Sequence, residues 1–94
     1  MTTALESRLR ICDHVHSRRF DNELVLLDLK GGNYYGIDEI GARAWDAFAK
    51  GQSLSEIVEP LMVEWAVSRE VLEHDLQAFA SELLAKGLVE WAPA

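Results

Sequence analysis

Apolar and polar positions change rhythm once along this chain. Up to residue 37 they alternate or form short runs, and beyond it they recur every three to four residues. Leu9-Arg10-Ile11-Cys12-Asp13-His14-Val15-His16 alternates loosely and predicts a first strand, with residues 17–22 as a polar connection. Val25, Leu26, Leu27 and Leu29 form an apolar run of strand length. Gly31-Gly32 supplies paired glycines for a tight hairpin turn, and Asn33-Tyr34-Tyr35-Gly36-Ile37 reads as the return strand. With a two-residue turn, Leu29 lies opposite Tyr34, Asp28 opposite Tyr35, and Leu27 opposite Gly36. A strand this short, followed only by helices, is left at a sheet edge.

Asp38 is placed to cap a helix opening at Glu39, in which Ile40, Ala44, Trp45 and Phe48 recur at helical spacing. Gly51 marks its stop. Ser53-Leu54-Ser55-Glu56 has the pattern of a capping box, with the Ser53 hydroxyl accepting from the Glu56 amide and the Glu56 carboxylate returning to the Ser53 amide. Ile57, Val58, Leu61, Met62 and Trp65 supply the next apolar face. Pro60 predicts a kink or early break there, because it removes the bond to the Glu56 carbonyl. Ser68 caps a third helix whose Leu72, Leu76, Phe79 and Leu83 make one continuous stripe. Gly87 suits a left-handed cap that folds Leu88 back toward Leu83 or Leu84, and residues 89–91 add a short closing extension. The expected fold class is therefore α+β, a three-stranded antiparallel sheet followed by three helices.

Composition bounds the picture. Ninety-four residues at 49% hydrophobic content fill one core and not two, so residues 1–94 are expected to be a single domain with its core at about 8–91. The net charge of −7 is unevenly spread: the first 50 residues carry seven basic and eight acidic side chains, the remainder two and eight. An acidic helical half repels phosphate, which argues against a nucleic-acid partner. Cys12 is the sole cysteine, so no internal disulfide forms. No segment has the length of a membrane span, and MTTALESRLR lacks the apolar core of a secretion signal. The expectation is a cytoplasmic protein without a membrane partner.

No catalytic constellation is visible: no nucleophile beside a base, no phosphate-binding loop, no CxxC pair. Gly31-Gly32 precedes a strand and not a helix. Cys12, His14 and His16 would share one strand face, yet alternate residues stand about 6.5–7 Å apart, leaving Cys12 and His16 roughly 13 Å from each other. That is too far for one ion, so neither a metal nor a cofactor is expected. Glu70, Glu73, Asp75 and Glu82 read as a solvated helix face, and Trp45 and Trp65 as core. What remains is the edge strand. Asn33 to Ile37 contains no charge and no proline, the devices that normally block such an edge. It suits pairing with an extended peptide, with the acidic third helix steering one that carries Lys or Arg. The same edge is equally suited to being covered by the N-terminal segment or by a second copy.

Val25-Leu26-Leu27-Asp28-Leu29, Gly32-Asn33-Tyr34-Tyr35-Gly36-Ile37-Asp38, Gly41 and Trp45 together resemble the PqqD family. Gly51, Ser53 to Val58, Asp75-Leu76, Phe79, Leu83 and Gly87-Leu88-Val89 extend the match to roughly residues 9–91. The resemblance implies a winged-helix-like RiPP recognition element, a non-catalytic module that binds the leader of a ribosomally made precursor peptide. Relatives present that precursor to a modifying enzyme in lasso-peptide, pyrroloquinoline quinone and other pathways. Carried over, the leader adds as a strand to Asn33, Tyr34, Tyr35, Gly36 and Ile37. It lies beside a third-helix stripe of Leu72, Leu76 and Phe79, with Asp75 at the margin. Asp38, where Asn is frequent, and Pro60 depart from the family pattern. Two rival functions share the fold: a winged-helix DNA-binding regulator, and an enzyme-docking subunit that binds no peptide. The first needs a basic recognition helix, whereas here four acids lie between Arg69 and Lys86.

Overall fold

The structure, a computed structural model, describes Glu6, residues 8–21 and residues 23–92. Its main sheet is antiparallel, with β2 (Val15–Phe20), β3 (Glu23–Asp28) and β4 (Asn33–Ile37) in that spatial order. Along β3 the side chains of Leu24, Leu26 and Asp28 are buried while Val25 and Leu27 lie on the half-exposed opposite face. This period of two sets the core side of the sheet. A separate two-stranded ribbon pairs β1 (Leu9–Ile11) with β5 (Val89–Trp91), strands about eighty residues apart in the chain.

Two expectations for the N-terminal half are corrected. The strand expected over residues 9–16 is divided by a turn at residues 12–14, closed by the Val15 amide donating to the Cys12 carbonyl at 3.1 Å. Residues 17–20, expected as a connection, are strand. Their polar character misleads because only Val15 of β2 is buried. Main-chain pairing with β3 does not require apolar side chains on an exposed strand. Cys12, His14 and His16 accordingly share no strand face, since Cys12 and His14 belong to the turn.

The hairpin register also differs. Asp28 pairs with Asn33, Leu27 with Tyr34, Leu26 with Tyr35, Val25 with Gly36 and Leu24 with Ile37. Leu29 leaves the ladder and donates its amide to the His14 carbonyl at 2.9 Å, so the loop spans residues 29–32. Asp28 builds this loop. Its Oδ1 accepts from the Lys30 and Gly31 amides at 3.1 and 3.0 Å, and its carbonyl accepts from Gly32 at 2.8 Å. Only Gly32 takes a positive φ, 76°. Gly31 is needed for space, because a Cβ there would lie 2.6 Å from Asp28 Oδ2. The register moves by two positions, an even number, so each residue keeps its expected face.

Helix α1 (Glu39–Ala49) opens at Asp38, whose Oδ1 accepts from the Gly41 amide at 2.9 Å, and buries Ala44, Trp45 and Phe48. Helix α2 (Ser55–Trp65) shows half of the expected capping box. The Glu56 carboxylate accepts from the Ser53 amide at 2.6 Å, but the Ser53 hydroxyl meets that carboxylate and Ser55 Oγ instead of the Glu56 amide. The Ser53 amide and then Arg8 hold the Glu56 carboxyl below the ordinary carboxylate range. Pro60 produces no early break, and α2 continues to Trp65. The Pro60 ring lies on the exposed side, while fully buried Val58 and Leu61 press the helix onto the core on either side of it.

Helix α3 (Arg69–Ala85) starts at Ser68, which accepts from the Val71 amide at 3.3 Å, and buries Leu72, Leu76, Ala80 and Leu83. Gly87, at φ 73°, ends it as expected: Gly87 donates to the Leu84 carbonyl at 3.1 Å and Leu88 to the Leu83 carbonyl at 3.0 Å. Leu88, entirely buried, joins Leu9 and Val89 in the core.

Candidate functional site

The main sheet has two edges, and they differ in chemistry. β2 carries Arg18 and Arg19, the latter paired with Asp46, so its edge is charged and partly engaged. β4 has neither charge nor proline. Among the described residues nothing pairs with its outer side, as expected for an edge strand. The described N-terminal segment does not cover it either. The Arg8 carbonyl accepts from the Ala92 amide at 2.9 Å and residues 9–11 pair with β5, so that segment is engaged away from β4.

Helix α3 flanks this edge in the opposite sense to β4. At one end a Cβ on Gly41 would stand 2.5 Å from Ile37 Cγ2 and 2.9 Å from Phe79 Cε1, so Gly41 is where β4, α1 and α3 converge. At the other end the Lys86 ammonium lies 5.6 Å from the centre of the Tyr35 ring. Between α1 and α3 opens a cleft of about 490 Å³. Ile40, Gly41, Ala78 and Phe79 form its apolar lining, and Asp38, Asp75 and Glu82 bring carboxylates to it.

The residues singled out in the sequence are sorted by this geometry. Tyr35 and Ile37 face the helices and are half-buried, whereas Asn33, Tyr34 and Gly36 are exposed, Tyr34 at 75%. Gly36 has no heavy atom within 4 Å of a built Cβ, so it leaves the strand open to close approach. Asp75 and Phe79 line the cleft. Leu72 and Leu76 are wholly buried and support α3 from beneath rather than facing the groove. Phe79 is half-buried, so its ring is shared between core and cleft. Asp38, Ile40, Gly41 and Glu82 were not among the expected site residues. Gly41 carried a readable signal, since a glycine in the first turn of a helix lowers helix stability and usually answers a packing demand.

Burial and the Glu90 carboxylate push the Cys12 thiol up, away from the reactive thiolate. Among the described residues no three His, Cys, Asp or Glu side chains gather as metal ligands. No helix among them is long and apolar enough to cross a membrane. None of their buried polar side-chain atoms lacks a hydrogen-bond partner. The main chain of β4, at the sheet edge, stands beside an apolar cleft with an acidic rim.

Residues 23–89 match the family model for Coenzyme PQQ synthesis protein D (PqqD). No curated protein matches the chain. Among solved structures, TbiB1 in complex with the TbiA(beta) leader peptide is 38% identical. The match covers 90% of this chain and 99% of that one, with a TM-score of 0.80. A lasso peptide synthetase B1 complexed with the leader peptide is 24% identical, and its TM-score of 0.81 over 93% of this chain shows the shared fold. The sheet, the three helices after it and the match across residues 23–89 lead to one conclusion: the chain belongs to the PqqD family and is a RiPP recognition element.

Proposed function

We propose that this protein binds the leader segment of a ribosomally synthesised precursor peptide. The leader adds as a strand to β4 beside α3, and the protein presents the precursor to a peptide-modifying enzyme without turnover of its own. One observation carries this reading: an unguarded sheet edge opens beside a cleft, in a chain 38% identical to a protein solved with a leader peptide. Main-chain pairing gives affinity, and alternate side chains entering the cleft give selectivity. Calorimetric titration with the TbiA(beta) leader peptide tests it. The expected affinity is about 8–10 kcal/mol, submicromolar to micromolar, and no heat at high concentration would overturn the proposal.

A DNA-binding role is disfavoured by charge. Of the two cations on or next to α3, Arg69 is paired with Glu59 and Glu73, and Lys86 with Glu82. Few cations remain there to release counterions from phosphate. Duplex DNA is therefore expected to give no salt-sensitive shift in a gel assay and no competition with bound leader. Specific retardation at low salt would reverse this.

A further inference from the structure

We propose that the groove along β4 is charge-polarised and selects peptides in which a basic residue precedes an acidic one by about five positions. This rests on the reading of β4 as the peptide-pairing edge, and it adds an order of charges and a direction to that reading.

One end of the groove is acidic. Asp38 follows β4 directly, and Asp75 faces the same cleft without an ion pair among the described residues. The other end is basic. A second cavity of about 280 Å³ lies at the hairpin end of the sheet, lined by His14, Asp28, Lys30, Gly31, Lys86 and Gly87. Lys30 has no ion pair among the described residues, and Asp28 turns its Oδ1 to the Lys30 and Gly31 amides, with His14 Nε2 at 3.7 Å. Lys86 links this cavity to β4 by lying over Tyr35, although Glu82 at 3.5 Å partly offsets its charge. The two poles thus lie at different levels of the same strand and helix, Asp75 in the middle of α3 and Lys86 just past its end, with Glu82 of the acidic cleft between them.

Length and direction follow from regular geometry. From Asp75 to Lys86 the helix axis advances about 16 Å at 1.5 Å per residue. An extended strand covers that distance in about five residues. Every pairing in the main sheet is antiparallel, and a strand added in the same manner to β4 runs from the Ile37 end toward the Asn33 end. Its earlier residues then meet Asp38 and Asp75, and its later ones meet Lys86 and Lys30. A cation first and an anion about five residues later complements both poles, whereas the reverse order sets like charges together.

The test is selection of a phage-displayed library of random twelve-residue peptides against the whole chain at low salt. Selected peptides are then mapped by amide shifts of labelled protein. The expected result is enrichment of Lys or Arg four to six positions before Asp or Glu, with shifts at residues 33–37. Exchanging the two charges of a selected peptide should weaken it about tenfold. The charge-exchanged variant carrying both Asp75→Lys and Lys86→Glu should select the opposite order. Peptides that shift β4 with no charge order, or with the reverse one, overturn the inference and leave strand addition standing. Failure to enrich any peptide that shifts β4 overturns both.

Discussion

Proline at Tyr35 and proline at Gly36 are expected to give opposite phenotypes. Successive amides of a strand point to opposite sides, so one of these two donates into β3 and the other toward the free edge. Proline at the outward-facing position removes a donor that an added strand needs and thrusts ring carbons into its path. The leader should then bind about 30- to 1000-fold more weakly, an effect of roughly 2–4 kcal/mol, with the fold retained. Proline at the inward-facing position breaks the β3–β4 ladder and should lower stability by about 3 kcal/mol. Urea denaturation followed by tryptophan fluorescence, together with titration of the TbiA(beta) leader peptide, separates the two outcomes. If both variants fold and bind normally, β4 is not the pairing edge.

Gly41→Ala is expected to damage both binding and stability. In an open helix the change would be favourable by about 1 kcal/mol. Here the new methyl would meet Ile37 at 2.5 Å and Phe79 at 2.9 Å. Overpacking of this kind costs about 1–3 kcal/mol, so the net change in stability should be a loss of up to about 2 kcal/mol. The half-buried Phe79 ring has somewhere to go, namely the cleft, and moving there fills the space a leader side chain would occupy. Binding should therefore fall at least about tenfold. Adding Phe79→Leu should restore stability, because the two sites share one contact and their effects are not additive. It should not restore binding, since the ring that lines the cleft is gone. Recovery of both would mean that Gly41 acts only through the core.

Much of the architecture was legible because its signals are local. Asp38, Ser68, Gly51 and Gly87 each mark a helix end through hydrogen bonds to residues within a few positions, and all four stand at helix ends in the structure. The apolar stripe of α3 was legible for the same reason, as helical period depends on neighbours three and four apart. Residues 17–20 of β2 are not legible as strand because their side chains face solvent, and what makes them strand is main-chain pairing to residues 23–26. The hairpin register is not legible either, because the Asp28 side chain replaces a two-residue turn with a four-residue loop. That choice depends on where the carboxylate points, which composition does not disclose.

The sequence by itself determined the class of the protein: three antiparallel strands in the sheet, three helices after them, an uncharged β4, and an acidic α3. Tertiary structure alone decided what lies beside what. It placed Ile37, Gly41 and Phe79, four and thirty-eight residues apart, around a single point, and set the carboxylates of Asp38 and Asp75 on one cleft. It put Leu72 and Leu76 under the groove instead of in it, since one helical stripe is wider than the strip a neighbour covers and packing selects which residues stay outside. It also led the N-terminal strand to β5, leaving β4 free. Pairing partners so distant along the chain are chosen by the energy of the whole core, and no local pattern of residues encodes them.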